Sequence, residues 1–238
     1  MDRIAVIPAR AGSKRLPKKN YKSFNSRTLV EIARDKCLAA GIFDKVIISS
    51  DDPFFEQLVN CNQVEFLKRS ENLAGDDATT DMVIDFFFQE LPYCESILWV
   101  NSVSPLQTIG DIKNCGTRLN DPNVDCVMAI NTLYQHCCIS DKPINFNPNY
   151  PFEKTQDLEP IQRYIYSCMG WKRETFVKHR SRGFKGLFPG RMALVEASLL
   201  AGMLIKYEED FIICSKIEEA MGYAQNIDIP KSILATHH

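Results

Sequence analysis

Short apolar runs rich in β-branched residues alternate along this chain with segments of helical periodicity, and that alternation limits the fold more than any other feature. Ile4 to Pro8 is the first run, followed by Lys45 to Ser49, Val64 to Leu67, Ser96 to Val100 and Val124 to Ile130. After the first run, Leu29, Ala33, Cys37 and Ala40 recur at helical spacing before Gly41, a residue suited to end a helix. Ser50-Asp51-Asp52-Pro53 offers an acidic cap and a proline for the first turn of another helix. Thr80 or Asp81 caps a third, with Val83, Ile84, Phe87, Phe88 and Leu91 on its apolar side, and residues 109–119 form a fourth. Strands joined by such helices require βαβ crossovers. The expected fold is therefore α/β, a Rossmann-like and mainly parallel sheet with helices on both faces. Ligands of such sheets bind at the carboxyl ends of the strands.

From Asn131 to Glu159 the composition turns to Asn, Pro and Lys, too polar for a core. An aromatic, β-rich segment (Tyr164 to Trp171) and a closing helix (Glu208 to Met221, with Phe211, Cys214, Ile217 and Met221 on one side) follow. Residues 1–238 thus read as one domain with a flap or insertion at about 131–190. With 28 basic against 30 acidic side chains the net charge is −2, which gives no global attraction to nucleic acid or anionic lipid. No apolar stretch approaches the roughly 20 residues of a membrane helix, and no leader pattern opens the chain, so a cytoplasmic protein without membrane contact is expected. The nine cysteines are odd in number and include no Cys-x-x-Cys spacing, so they read as reduced thiols. His136-Cys137-Cys138, a compact triplet with no second ligand group, reads as packing and not as a metal site.

Chemistry concentrates after the first strand. Between Arg10 and Lys22 stand six cations and no carboxylate, with Gly12 able to bring backbone amides close to a ligand. The loop is an anion cradle, yet it matches neither the Walker pattern nor the dinucleotide-binding glycine pattern. A second cationic cluster, Lys178 to Lys185, reads as an exposed loop or as contacts to an anionic substrate or a second subunit.

Ala9-Arg10, Ser13-Lys14 and Lys19-Asn20 after an apolar strand resemble the cytidylyltransferases that make CMP-sialic acid and related CMP-nonulosonates. Ser49-Ser50-Asp51, Arg69 with Leu73 to Thr80, Ser104-Pro105-Leu106 and Glu208 to Phe211 continue the match in order, over residues 3 to about 221. The resemblance implies a nucleotidyltransferase-type sheet with a small dimerisation excursion, acting as a homodimer. It implies CMP transfer from CTP to the anomeric hydroxyl of a sialic-type sugar acid, with pyrophosphate released and Mg²⁺ brought by CTP. Arg10, Ser13, Lys14 and Lys19 would hold the phosphates, with Ala9 and Gly12 in the same loop and Asn20 near the base. Arg10, Lys14 and Lys19 would be catalytic, because fixed cations stabilise the charge that builds on the equatorial oxygens and on departing pyrophosphate. Arg69, Asp76, Thr79 and Thr80 would read cytosine, although Thr79 and Thr80 also read as helix caps. Asn101, Ser104, Gln162 and Arg163 would face the acceptor.

The departures matter equally. Relatives carry two Mg²⁺-binding aspartates where this chain has Leu204 and Lys206. Lys206 is then either a fixed cation beside the phosphates or an outward strand-end residue, and Glu208, Asp210, Asp76 or Asp51 would have to orient the metal. Asn101 to Gln107 and Ser167 to Gly170 also differ from relatives. These changes keep open a Kdo-like acid or a phosphonate as acceptor, and a nucleotide-binding protein without catalysis. Nucleic-acid binding is disfavoured, since no aromatic residue interleaves with the loop cations before Tyr21.

Overall fold

The computed structural model describes residues 2–225. Along the chain run β1 (Asp2–Pro8), the hairpin arms β2 (Ser23–Phe24) and β3 (Arg27–Thr28), α1 (Leu29–Ala40), β4 (Lys45–Ser50), β5 (Val64–Lys68) and the single turn α2 (Glu71–Ala74). Then come α3 (Thr80–Glu90), β6 (Cys94–Val100), α4 (Ile109–Leu119), β7 (Cys126–Leu133) and the short arms β8 (Cys138–Ile139) and β9 (Lys142–Pro143). β10 (Ile161–Lys172), α5 (Arg173–Ser181), β11 (Met192–Glu196) and α6 (Glu208–Gln225) complete the order.

Seven strands form one sheet in the order β11-β7-β10-β6-β1-β4-β5. β6, β1, β4 and β5 run parallel, and β11 runs parallel to β7. The sheet is thus mainly parallel, as the alternating pattern predicts. β10 is the exception and pairs antiparallel with both β6 and β7. It needs no crossover helix, because residues 134–160 return the chain directly. One core face packs residues of α1 and α4, including Val30, Ala33, Cys37, Ile112 and Cys115, on the sheet. The opposite face packs Val83, Ile84, Phe87 and Phe88 of α3 with Phe176 of α5. Helices therefore cover both faces, and the carboxyl ends of β1, β4, β5 and β6 are left to loops.

Local signals explain most boundaries. Thr28 and Glu31 form a reciprocal capping box at α1, and Gly41 ends it at φ 65°, a left-handed conformation favourable to glycine. Thr108 and Asp111 do the same for α4. Of the residues read as caps for α3, Thr79 is the N-cap. Two expectations change. Asp52 caps a 3₁₀ helix, Pro53–Leu58, and not an α-helix. The cluster at 178–185 is half helix, for Arg180 donates to Asp85 Oδ2 at 2.9 and 2.6 Å and pairs with Asp81 at 3.1 Å. Of the segment at 131–190, residues 161–181 belong to β10 and α5, while Tyr150 and Phe152 of the intervening stretch are exposed. Among the described residues no helix is long and apolar enough to cross a membrane.

Candidate functional site

The carboxyl ends of β1, β5 and β6 and the N-terminus of α3 enclose a cleft of about 500 Å³. It brings together Arg10, Gly12, Ser13, Lys14, Lys19, Asn20, Arg69, Asp76, Thr79, Thr80 and Asn101, residues spread over 92 positions of sequence. Ala9 does not line it: its side chain is in the core and its N–H donates to Ser49 O, extending the pairing with β4.

The loop after β1 is braced at several points. Asp51 Oδ1 accepts the Ala11 N–H at 2.9 Å, and Asn20 Nδ2 donates to Arg10 O at 2.9 Å. Ser102 Oγ donates in turn to Asn20 Oδ1. Asn20 thus holds the loop's shape as well as facing the cleft. Tyr21 donates to Asp52 at 2.6 Å, which holds the Asp52 carboxyl below its ordinary range. Arg10 reaches Ala74 O and lies 3.7 Å from Asp76, while Lys14 pairs with Asp76 at 2.5 Å. Asp76 therefore sits as counter-ion to two loop cations, and the Lys14 hydrogen bond depresses its pKa. Lys19 donates to Ile205 O at 2.9 Å, and burial together with Arg15 and Arg10 lowers its pKa to about 8.

Arg69 follows β5, its N–H donating to Ser50 O. It is only 4% exposed, and its Nε and Nη2 have no partner in the protein. Burial disfavours its charge, which Asp51 supports. A buried guanidinium with unmet donors at the wall of a cleft can take an acceptor supplied by a ligand or by water. The side chains of Thr79 and Thr80 face the same cleft; Thr79 makes no side-chain cap bond, so its hydroxyl is not consumed by the helix it begins. Trp99, Ser102 and Arg15, not singled out from sequence, also line the cleft. Position at the carboxyl end of a strand marks the first two, and membership in the basic run marks the third.

A second cavity, about 410 Å³, is lined by Arg163, Tyr164, Tyr166, Leu204, Lys206, Tyr207 and Asp210 among others. The two spaces are neighbours, joined by the Lys19–Ile205 bond and by Asn101 Nδ2, which donates to Tyr166 O at 3.4 Å. Ser104 lies in neither; it is buried and donates to Ala201 O at 2.6 Å. Gln162 stands exposed on β10 and also lines neither. Gln107, buried beneath, donates to Asn101 O and so positions Asn101.

The residues present do not fit a protein-held divalent cation. Leu204 has no donor, Lys206 is a cation, Glu208 pairs with Lys22 at 2.9 Å, and Asp210 Oδ2 accepts the N–H groups of Lys206 and Tyr207. Among the described residues no group of three or more His, Cys, Asp or Glu is placed to hold a metal.

Residues 4–160 match the cytidylyltransferase family profile. The chain belongs to the cytidylyltransferase family. It is similar to the N-acylneuraminate cytidylyltransferase of Streptococcus agalactiae serotype III, 26% identical over 76% of this chain and 46% of that one. It is also similar to the pseudaminic acid cytidylyltransferase of Campylobacter jejuni serotype O:2, 28% identical over 70% of this chain and 63% of that one. The chain thus spans about half to two thirds of the length of these relatives. Among solved structures, CMP:2-keto-3-deoxy-manno-octonic acid synthetase complexed with CTP superposes with TM-score 0.67 at 14% identity, covering 95% of this chain and 100% of that one. The 4-diphosphocytidyl-2C-methyl-D-erythritol synthase of Anaerococcus prevotii superposes with TM-score 0.66 at 15% identity, covering 91% and 98%. At these identities the likeness shows the fold.

Proposed function

We propose that this cytidylyltransferase transfers CMP from CTP to the anomeric hydroxyl of a sialic-type sugar acid and releases pyrophosphate. One observation carries the reading. The cation loop, the buried unpartnered Arg69 and the hydroxyl-bearing start of α3 line a single cleft. In this proposal the triphosphate lies along Arg10, Ser13, Lys14 and Lys19, replacing Asp76 as the counter-ion of Arg10 and Lys14. Cytosine presents its acceptor edge to Arg69 and its remaining edge to the segment from Asp76 to Thr80. The acceptor hydroxyl attacks the α-phosphorus, and the bond to the pyrophosphate oxygen breaks. Negative charge then grows on oxygens that Arg10, Lys14 and Lys19 already surround, so those cations stabilise the transition state more than bound CTP. Mg²⁺ enters as the counter-ion of CTP, without a carboxylate pair from this chain. The working unit is a homodimer in the cytoplasm, its assembly supported by the exposed aromatic side chains of residues 134–160.

Pyrophosphate release from each of the four NTPs, with sialic-type acids, Kdo-like acids and phosphonates, tests the reading. Turnover with CTP and a sugar acid is expected. Binding of CTP without turnover on any acceptor would leave a nucleotide-binding protein, and equal use of all four NTPs would remove the cytosine contacts.

A further inference from the structure

The second cavity is chemically unlike the cleft beside it. Tyr164, Tyr166 and Tyr207 give it aromatic walls, and Met203, Leu204 and Ile213 add apolar surface. Its volume, about 410 Å³, suits a small molecule. Part of this wall comes from an irregularity of β10, whose register shifts between Tyr164 and Met169, with Tyr166 held at φ 56°. Such bulges re-aim side chains beside functional sites, and a non-glycine residue in the left-handed region persists only where its surroundings enforce it.

Three charged groups share the cavity, and their commitments differ. Asp210 spends Oδ2 on the N–H groups of Lys206 and Tyr207 at 2.8 and 2.9 Å, capping α6. Arg163 donates from Nη2 to Asn131 Oδ1 at 3.0 Å and is packed closely over Gly202, where an added Cβ would lie 2.7 Å from Nη2. Lys206 makes no ion pair among the described residues and is exposed. It lines this cavity and not the cation-lined cleft that holds Arg10, Lys14 and Lys19. An unpaired lysine on a wall shared with tyrosines and aliphatic residues, with Arg163 beside it and Asp210 Oδ2 turned to the start of α6, suits an anion that also carries apolar surface.

We propose that Lys206 is a specificity-determining residue of this chain, its ammonium binding the carboxylate of an acidic acceptor whose apolar substituents rest on Tyr164, Tyr166 and Tyr207. The proposal rests on the CTP reading above and adds the residue that chooses the second substrate. It assigns Lys206 to the acceptor and not to the triphosphate. Position 206 therefore trades metal binding for direct recognition of a carboxylate, and Arg163 acts beside it from a fixed orientation.

The test uses CTP-loaded wild-type protein and the variants Lys206→Gln and Lys206→Arg. N-acetylneuraminic acid, pseudaminic acid and 2-keto-3-deoxy-manno-octonic acid are each titrated by saturation-transfer NMR, and CTP affinity is measured separately by calorimetry. At least one acid is expected to saturate the wild type. Lys206→Gln should weaken that acid by at least about tenfold, the loss of one charge-assisted contact, and Lys206→Arg should restore much of it. CTP affinity should stay unchanged in both variants. For an acid that also turns over, the loss should fall on its KM and leave kcat little altered. Acid binding unaffected by Lys206→Gln would overturn the proposal, and so would a loss confined to CTP. If CTP binds but none of the acids saturates the wild type, the proposal fails while the CTP reading stands. Absence of CTP binding to the wild type brings down both.

Discussion

Arg69 concentrates the conflict between stability and binding that this site contains. Its guanidinium is nearly fully buried, yet Nε and Nη2 find no acceptor in the protein. Each unmet buried donor costs about 1–3 kcal/mol in the free protein, and an incoming ligand recovers that cost by supplying the acceptor. Arg69→Met keeps most of the buried stem and removes the charge. The variant is expected to melt at a higher temperature in the absence of nucleotide and to bind CTP at least about tenfold more weakly, read by thermal unfolding and calorimetry. Lower stability with unchanged CTP affinity would make Arg69 a structural residue. Lys19 supplies a pH signature. Its pKa is lowered to about 8, first by burial and then by Arg15 and Arg10. A triphosphate beside it favours the charged form, so the pKa in the complex lies above that in the free protein. Binding must then take up a proton near pH 8, and CTP affinity is full below that pH and declines as pH rises through it. Calorimetry at pH 8 in buffers of different ionisation heat should show that uptake, and Lys19→Met should abolish it.

At the scale of elements, the loop after β1 depends on groups that never meet the substrate. Asp51, at the carboxyl end of β4, holds the Ala11 N–H at 2.9 Å and keeps the cradle open toward the cleft. Asp51→Ala removes both this bond and the charge that supports buried Arg69, so it should lower the unfolding midpoint and raise the KM for CTP several-fold. A normal KM in that variant would show that Asn20 alone braces the loop. β10 depends on a different restriction. A Cβ at Gly170 would lie 2.8 Å from Leu119 Cδ2, 2.9 Å from Val127 Cγ2 and 3.0 Å from Leu98 Cδ1, so α4 could not seat on the strand as it does. Gly170→Ala should cost about 1–3 kcal/mol by chemical denaturation, the range for overpacking a filled core. The folded fraction should bind CTP normally, since Gly170 lines neither cavity.

The whole molecule sets a cation-lined cleft beside an aromatic cavity, the two tied by bonds that span most of the chain, and residues 134–160 carry further exposed apolar side chains. Tyr150 is 68% exposed and Phe152 78%, with Ile139 close to them in sequence. Burying these side chains between two copies would remove them from water, so sedimentation should show a dimer, and Ile139→Asp with Phe152→Asp should yield monomers. A wild-type monomer at micromolar concentration would refute the homodimer. The amino-acid sequence alone determined β1, β4, β5, β6 and β7, the helices α1, α3, α4 and α6, and the cation loop. Each of these is written in apolar periodicity or in residues that stand close together in the chain. Only the tertiary structure decided that β10 enters the sheet antiparallel, that Arg69 is left without partners, and that Lys206 belongs with Arg163 and not with Lys14. Lys19 and Ile205, whose bond joins the two spaces, stand 186 residues apart, and no local pattern encodes a contact of that range.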